Sequence, residues 1–178
     1  MNKFKLFAPA FFLIATYTSC NQTPKTTEVI ATDSVTVSVP VAIELKDANS
    51  DLAYDQYLHL KDVLVLSDSI QAQGASKDLA GTLAKITASK NSTKMAYDLA
   101  AERSLSKQRI LFTTLSTELI AMFKKAEISS GSMFVQYCPM ANDGNGAYWL
   151  ASETEIRNPY YGDEMLNCGE VKETISKK

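Results

Sequence analysis

The sequence predicts a mainly α-helical domain, an up-and-down bundle of three to four helices, with a small irregular hairpin and loop segment at its C-terminal end. Three observations predict this class. Apolar residues from Asn49 onward recur near the i, i+3, i+4 spacing of helices. Short polar breaks with capping residues separate these stretches, which favours antiparallel neighbours. After Gly131 the helical period ends, and a segment with Cys, Pro and Gly begins.

The bulk composition is that of one ordinary domain with additional segments. The chain has 178 residues, a net charge of −2 and 46% apolar residues, enough for a hydrophobic core. The nearly balanced charge gives no electrostatic footprint for nucleic acid. After the N-terminus, no apolar run is long enough to span a bilayer.

The first twenty residues have the pattern of a targeting segment. Lys3 and Lys5 precede a short apolar run, residues 6–15, which is too short for a transmembrane helix. The run leads to small residues before Cys20, which resemble a bacterial lipobox, although Tyr17 stands where Leu is usual. We expect a lipoprotein signal peptide over residues 1–20, lipidation of Cys20, and a lipid-anchored protein in the periplasm or outer membrane. A plain secretory signal is the alternative.

Residues 21–48 predict a flexible tether. They are rich in Thr, Ser, Val and Pro and show no helical period. The alternation in VTVSVPV, residues 35–41, is typical of a strand, but Pro40 interrupts it. A strand that packs on the domain is therefore the alternative for this stretch.

The predicted domain covers residues 49–178 and starts with the helices. Residues 49–50 can cap the first helix, and residues 67–68 can cap the second. A long third helix is predicted over residues 93–126. A break near residues 104–106 would divide it and give four helices instead of three.

Residues 132–175 form the predicted C-terminal segment. Large side chains alternate over residues 133–137, and a return run covers residues 147–151, with the turn sequence NDGNG between them. This pattern predicts a β-hairpin. Residues 163–168 are predicted to form a short helical stretch that ends at Gly169.

Four sulfur-bearing side chains lie on the two arms of this segment. Cys138 and Met140 are two residues apart, on one side of an extended chain. Met165 and Cys168 are three apart, on one face of a helical turn. If the arms meet, two thiolates and two thioethers form a soft metal site, which favours copper as Cu(I). Trp149 could then lie over the bound cation and shield it.

A disulfide between Cys138 and Cys168 is the alternative. These two cysteines remain once Cys20 is used, and an even count in an oxidising compartment favours a bridge. Such a bridge would stabilise the fold by about 3–4 kcal/mol. Met140 and Met165 would then pack, or form a thioether-only site. No CxxC or HxxxH pattern supports a closed tetrahedral zinc site.

No catalytic residue is predicted, so we expect a binding protein and not an enzyme. His59, the only His, falls in the first predicted helix and is expected at the surface. A Cys–His nucleophile pair is therefore not expected. The acidic residues of the C-terminal segment are scattered over turns, too sparsely for a calcium loop.

Three stretches of the chain resemble one protein family. They are YLHLKDVLVLSDS at residues 57–69, SKQRILFTTLSTEL at 106–119 and YCPMANDGNGAYWLASETEIRNPYYGDEMLNCGEV at 137–171. They resemble the domain-of-unknown-function family 3347, found in exported proteins of Bacteroidetes, alone or fused to periplasmic adaptor subunits of heavy-metal efflux pumps. The resemblance covers about residues 51–175.

The resemblance implies a helical domain associated with copper and other heavy-metal handling, with an efflux system or its periplasmic adaptor as partner. The CPMA element is also similar to the Cys-Pro-Met-His element of small heavy-metal-binding domains. Ala141 stands where that His would be, which removes an imidazole. The positions that the resemblance offers as metal-binding are Cys138, Met140, Trp149, Met165 and Cys168.

Overall fold

Four helices and two small antiparallel sheets make up residues 42–87 and 89–177, which this computed structural model describes. The helices are α1 (Ala48–Val65), α2 (Ser69–Leu83), α3 (Lys90–Ala101) and α4 (Leu105–Phe123). The strands are β1 (Glu44–Leu45), β2 (Ile128–Ser130), β3 (Ser132–Cys138), β4 (Ala147–Ala151) and β5 (Glu170–Ser176). The mainly helical prediction is confirmed in this coarse form, but the strands are more substantial than the predicted hairpin.

Short polar residues set where the helices begin and end. The Asp47 carboxylate accepts the backbone N–H of Ser50 at 2.8 Å and caps α1. Asp68 accepts two N–H groups in the first turn of α2, as the sequence predicts. The break predicted near residues 104–106 lies at residues 102–104, where the Glu102 carboxylate accepts the N–H groups of the next two residues between α3 and α4. The described part of the chain therefore has four helices.

The core lies between the helices and the second sheet. Successive helices contact each other in chain order, and α4 also packs on β4. The largest fully buried side chains include Trp149, Tyr54, Tyr57, Phe112, Phe123, Leu60, Leu64, Leu79, Leu83, Leu99 and Leu115. Burial of each such side chain stabilises the fold by about 1.5–3 kcal/mol. Because β4 shares this core, the helices hold the sheet in place.

The first sheet joins the residues before α1 to those after α4. In it β1 pairs antiparallel with β2, so that Glu44 lies opposite Ser130. Ile43 and Leu45 are buried against the core. These residues fall in the C-terminal part of the predicted tether, so the packed domain begins before the boundary predicted at Asn49.

The second sheet has the strand order β4-β3-β5 and is antiparallel throughout. The predicted hairpin is confirmed, with Cys138 of β3 opposite Ala147 of β4. The helical stretch predicted over residues 163–168 is wrong. Only a 3₁₀ turn, Gly162–Glu164, forms there, and the chain then enters β5. Strand β5 is an edge strand and mostly exposed, so its polar sequence carries little of the apolar alternation that marks a strand.

Tyrosine side chains cover the outer edge of β4. The Tyr54 hydroxyl of α1 donates to the carbonyl of Ala151 at 3.2 Å, and the Tyr57 hydroxyl accepts the N–H of Leu150 at 3.0 Å. The Tyr160 hydroxyl donates to the carbonyl of Tyr148, also in β4, at 2.7 Å. An open strand edge is a template for pairing with another chain. Here the three tyrosine hydroxyls form hydrogen bonds with backbone groups of β4. They hold β4, and with it the hairpin, against α1.

The N-terminal predictions lie outside the described residues. These are the signal peptide, lipidation at Cys20 and most of the tether. Within residues 42–87 and 89–177, none of the helices has the length and hydropathy needed to cross a bilayer.

Candidate functional site

The strand register brings Cys138 and Cys168 together. Cys138 is the last residue of β3, and Tyr137 lies opposite Glu170 of β5. Cys168, two residues before Glu170, therefore lies beside the end of β3. The two Sγ atoms are 2.8 Å apart, although the residues are 30 positions apart in sequence. Both cysteines are free thiols in this structure.

The two thiols differ in their access to solvent. Cys138 is fully buried, whereas Cys168 is half-buried. Met140 lies in the turn after β3 and is 52% exposed. The pair therefore has a covered inner sulfur and an accessible outer one, with an exposed thioether on the loop that follows the inner one.

The surroundings of the Cys168 thiol raise its pKa. Its hydrogen bond with Cys138 raises the pKa of Cys168, and burial and the charge of Cys138 raise it further. The backbone N–H of Met140 acts in the opposite direction, because a hydrogen bond to the sulfur favours the thiolate. A metal bound at the pair has to displace protons, so its affinity falls as the pH falls.

The turn after Cys138 is fixed by local hydrogen bonds. The Tyr161 hydroxyl donates to the carbonyl of Met140 at 2.5 Å. Inside the turn, the N–H of Gly146 donates to the carbonyl of Ala141 at 2.9 Å. Ala141 is fully buried. The turn therefore fixes the Met140 backbone, whose N–H lies close to Cys168 Sγ.

Asn158 fixes the other arm. It is fully buried, and its Nδ2 donates to the carbonyl of Cys168 at 2.9 Å. Its Oδ1 accepts the N–H of Tyr160 at 2.8 Å, and its own N–H donates to the carbonyl of Leu166. One amide side chain therefore sets the position of the backbone at Cys168.

Trp149 lies on the same face of the sheet as Cys138 and packs against the residue after Cys168. It lies opposite Gln136 and Cys138 lies opposite Ala147, so both Trp149 and Cys138 are on one face of the sheet. The Trp149 ring packs against Gly169: a Cβ at Gly169 would lie 2.9 Å from its Cη2. Trp149 is fully buried, and within the described residues its Nε1 has no hydrogen-bond partner. That Trp149 lies over a bound cation stays a prediction.

The two predicted methionine ligands lie on the same two loops as the thiols. Met165 follows the 3₁₀ turn and is half-buried, and its carbonyl accepts the N–H of Cys168 at 3.0 Å. Met140 is the exposed residue described above. That their thioethers bind metal stays a prediction. Among the described residues there is no group of three or more His, Cys, Asp or Glu side chains that could hold a metal ion.

Sequence reasoning missed the residues that position the thiols. No role was predicted for Asn158, although its fully buried side-chain amide bonds two backbone groups and shapes the loop. Gln136 is also fully buried, and its Nε2 donates to the carbonyls of Glu153 and Glu155. Amide side chains at turns and strands give no periodic signal, so nothing in the sequence distinguished these two.

The family model described as "Protein of unknown function (DUF3347)" matches residues 53–131. This match supports the family assignment. The matched range runs from α1 to the residue before β3, so the segment with both thiols lies outside it. No curated protein and no solved structure matches the chain.

Proposed function

We propose that this chain is an exported, lipid-anchored binding protein for Cu(I) or another soft heavy metal, and that it supports metal homeostasis or efflux. The observation that carries the proposal is the approach of Cys138 and Cys168, two thiols from distant parts of the sequence, at 2.8 Å. Thiolates and thioethers are the ligands that Cu(I) prefers. In this proposal the metal is cargo and the partner is an efflux system or its periplasmic adaptor.

The donor set fits a soft metal that needs few ligands. With metal–sulfur bonds of about 2.3 Å, a linear sulfur–metal–sulfur unit spans about 4.6 Å. The sulfurs therefore have to separate from their present 2.8 Å for a metal to enter. Cys168 is the sulfur that can move, because it is half-buried and precedes an edge strand, whereas Cys138 is enclosed.

Met140 is the thioether best placed to capture metal from solution. It is 52% exposed, and its backbone N–H is close to Cys168 Sγ. Met165 is on the other arm, within one turn of Cys168. We propose that a thioether completes the coordination of the two thiolates and that metal remains exchangeable, because few ligands bind at a time.

A Cu(I) titration of the reduced full chain against a chromophoric chelator tests the proposal. Cys20→Ser is introduced in every variant, so that only the thiol pair is counted. We expect Cys138→Ser and Cys168→Ser each to abolish tight binding, and Met140→Leu to weaken it by about tenfold or more, about 1.4 kcal/mol. Leu keeps the side-chain volume and removes the sulfur.

Met122→Leu is the matched control, because Met122 is a half-buried methionine of α4 that packs against the core. We expect it to leave the affinity unchanged. Wild-type affinity in both cysteine variants would overturn the proposal. Wild-type affinity in Met140→Leu and Met165→Leu alone would remove the thioethers and leave a two-thiolate site.

A disulfide-closed interaction module of the cell envelope is the second candidate. The distance between the two Sγ atoms, 2.8 Å, favours this candidate, because a disulfide bond of about 2.05 Å needs a further approach of only about 0.8 Å. Mass spectrometry of the protein isolated without reductant separates the candidates. A complete Cys138–Cys168 bridge that survives exposure to reduced copper supports this module, whereas free thiols with bound metal support the binding protein.

A further inference from the structure

The unequal burial of the two sulfurs has a consequence for their chemistry. Thiol–disulfide exchange needs a thiolate to reach a sulfur atom, so the accessible sulfur of a pair reacts first. Cys138 is fully buried, ends β3 and lies on the same face as the buried ring of Trp149. Cys168 is half-buried and lies on the loop between the 3₁₀ turn and β5. An external reagent can therefore approach only the Cys168 sulfur.

We propose that Cys168 is the exchange site through which an external dithiol or small thiol, and the corresponding disulfide, open and close the Cys138–Cys168 pair, and that closure switches off metal binding. The second clause rests on the proposed function, because it assumes that the open pair binds Cu(I). The first clause does not need it. The partner is defined by its chemistry: a thiol that can reach the outer sulfur of a half-covered disulfide.

The opening reaction proceeds in two balanced steps. In the first, an external thiolate attacks Cys168 Sγ, a mixed disulfide forms, and the Cys138–Cys168 bond breaks. Cys138 leaves as the thiolate and takes up a proton. In the second, another external thiolate attacks the external sulfur of the mixed disulfide and releases Cys168 as a thiolate, which is then protonated. The pair gains two electrons and two protons, and two external thiols become one external disulfide.

Closure is the reverse, with an external disulfide as the oxidant. It begins when the Cys168 thiolate attacks that disulfide. Cys138 then resolves the mixed disulfide from 2.8 Å away. Because Asn158 holds the carbonyl of Cys168 at 2.9 Å, the outer sulfur stays within reach of the inner one through both steps.

The closed pair cannot hold the metal. A disulfide has no thiolate to donate, and its sulfurs lie about 2.05 Å apart, too close for a metal between them. The redox state of the surrounding thiols therefore decides whether the site takes up or releases its cargo.

Thiol labelling of the full chain tests the exchange site. All variants carry Cys20→Ser, and the probe is an aromatic disulfide that releases a coloured thiol on reaction. We expect the remaining Cys168 in Cys138→Ser to react at least about tenfold faster than the remaining Cys138 in Cys168→Ser. In urea the two should react at similar rates. Equal rates in the folded protein would overturn the proposed exchange site.

The switch is tested on the protein with both thiols of the pair. A redox buffer of small thiol and disulfide closes the pair. Mass spectrometry then determines the fraction of closed protein, because disulfide formation lowers the mass by two hydrogen atoms. Cu(I) is then titrated into the open and closed forms after removal of the buffer. We expect binding by the open form only, with quenching of Trp149, the single tryptophan.

The outcomes separate the two proposals. Fast exchange at Cys168 with no copper binding by the open form would refute the proposed function and leave the exchange site standing. Copper binding of equal affinity by open and closed forms would refute the switch and leave a metal site that does not depend on both thiols.

Discussion

Replacement of Asn158 by Ala tests whether one buried amide positions the thiol pair. The side chain donates to the carbonyl of Cys168 and accepts the N–H of Tyr160, and it is fully buried. Ala removes both partners at once. The backbone at Cys168 then loses its anchor, while the helices and the hairpin keep their own contacts.

The expected magnitude follows from the two groups left without partners. A buried polar group without a hydrogen bond costs about 1–3 kcal/mol. Water can reach the half-buried Cys168 more easily than the enclosed Tyr160 N–H, so we expect a loss of about 3 kcal/mol in the free energy of unfolding. If the free energy of unfolding falls by about 2 kcal/mol per molar urea, the midpoint of the unfolding transition falls by about 1.5 M. A domain of typical stability, about 5–15 kcal/mol, stays folded in water after this loss.

Urea unfolding, followed by the fluorescence of Trp149 with the thiols reduced, measures the loss. Asn145→Ala is the matched control, because the exposed Asn145 amide bonds only a neighbouring carbonyl within its turn. We expect the control to change stability by less than about 0.5 kcal/mol. In the folded Asn158→Ala protein, labelling of Cys138 should also rise by about threefold or more, since a loosened Cys168 uncovers it. A stability and a labelling rate equal to those of the control would refute the assigned role.

Three further perturbations test the fold around the site. Tyr57→Phe should lower the free energy of unfolding by about 2 kcal/mol, because it leaves the N–H of Leu150 without a partner. The control Tyr97→Phe, at an exposed tyrosine, should leave stability unchanged. Equal urea midpoints for the two variants would contradict the role of the tyrosines that cover the outer edge of β4. Burial raises the pKa of the three edge tyrosines, so stability should be constant below about pH 10, the unfolded pKa, and fall above it; a urea midpoint unchanged from about pH 9 to about pH 11 would oppose this. Gly162→Ala should lose more than about 1 kcal/mol, because Gly162 has φ +58° and a Cβ would lie 2.7 Å from a backbone carbonyl, whereas Gly81→Ala in open space within α2 should gain about 0.5–1 kcal/mol; similar thermal midpoints for both variants would argue against this strain.

The helical half of the fold could be predicted because its signals are local. Asp68 follows the first apolar run and caps α2, and the polar stretch at residues 102–104 interrupts the next run. Both signals act within one turn of the chain and do not depend on distant contacts. The same holds for the hairpin, whose NDGNG turn supplies residues with positive φ at Asn142 and Asp143.

The parts that could not be predicted depend on long-range pairing. Strand β1 has two residues and exists only because it pairs with β2, more than eighty positions away. Strand β5 is an edge strand with a mostly exposed, polar sequence. Its register on β3 places Cys168 beside Cys138, and no local pattern in either arm specifies that register.

The candidate site was predictable in its residue types and not in its support. The spacing of two cysteines, each near a methionine, suggested a shared sulfur site, and the structure brings the thiols together. The burial of Asn158 and the packing of Trp149 on Gly169 follow from the fold alone.

The tyrosine edge of β4 also limits how the protein can be dissected. A peptide that contains only the hairpin and β5 would lack Tyr54 and Tyr57. The Ala151 carbonyl and the Leu150 N–H of β4 would then lose their protein partners and be free to pair with another chain. Such fragments tend to stack strand on strand and precipitate. Truncated versions are therefore expected to report on self-assembly instead of on the sulfur pair, and useful variants have to retain α1.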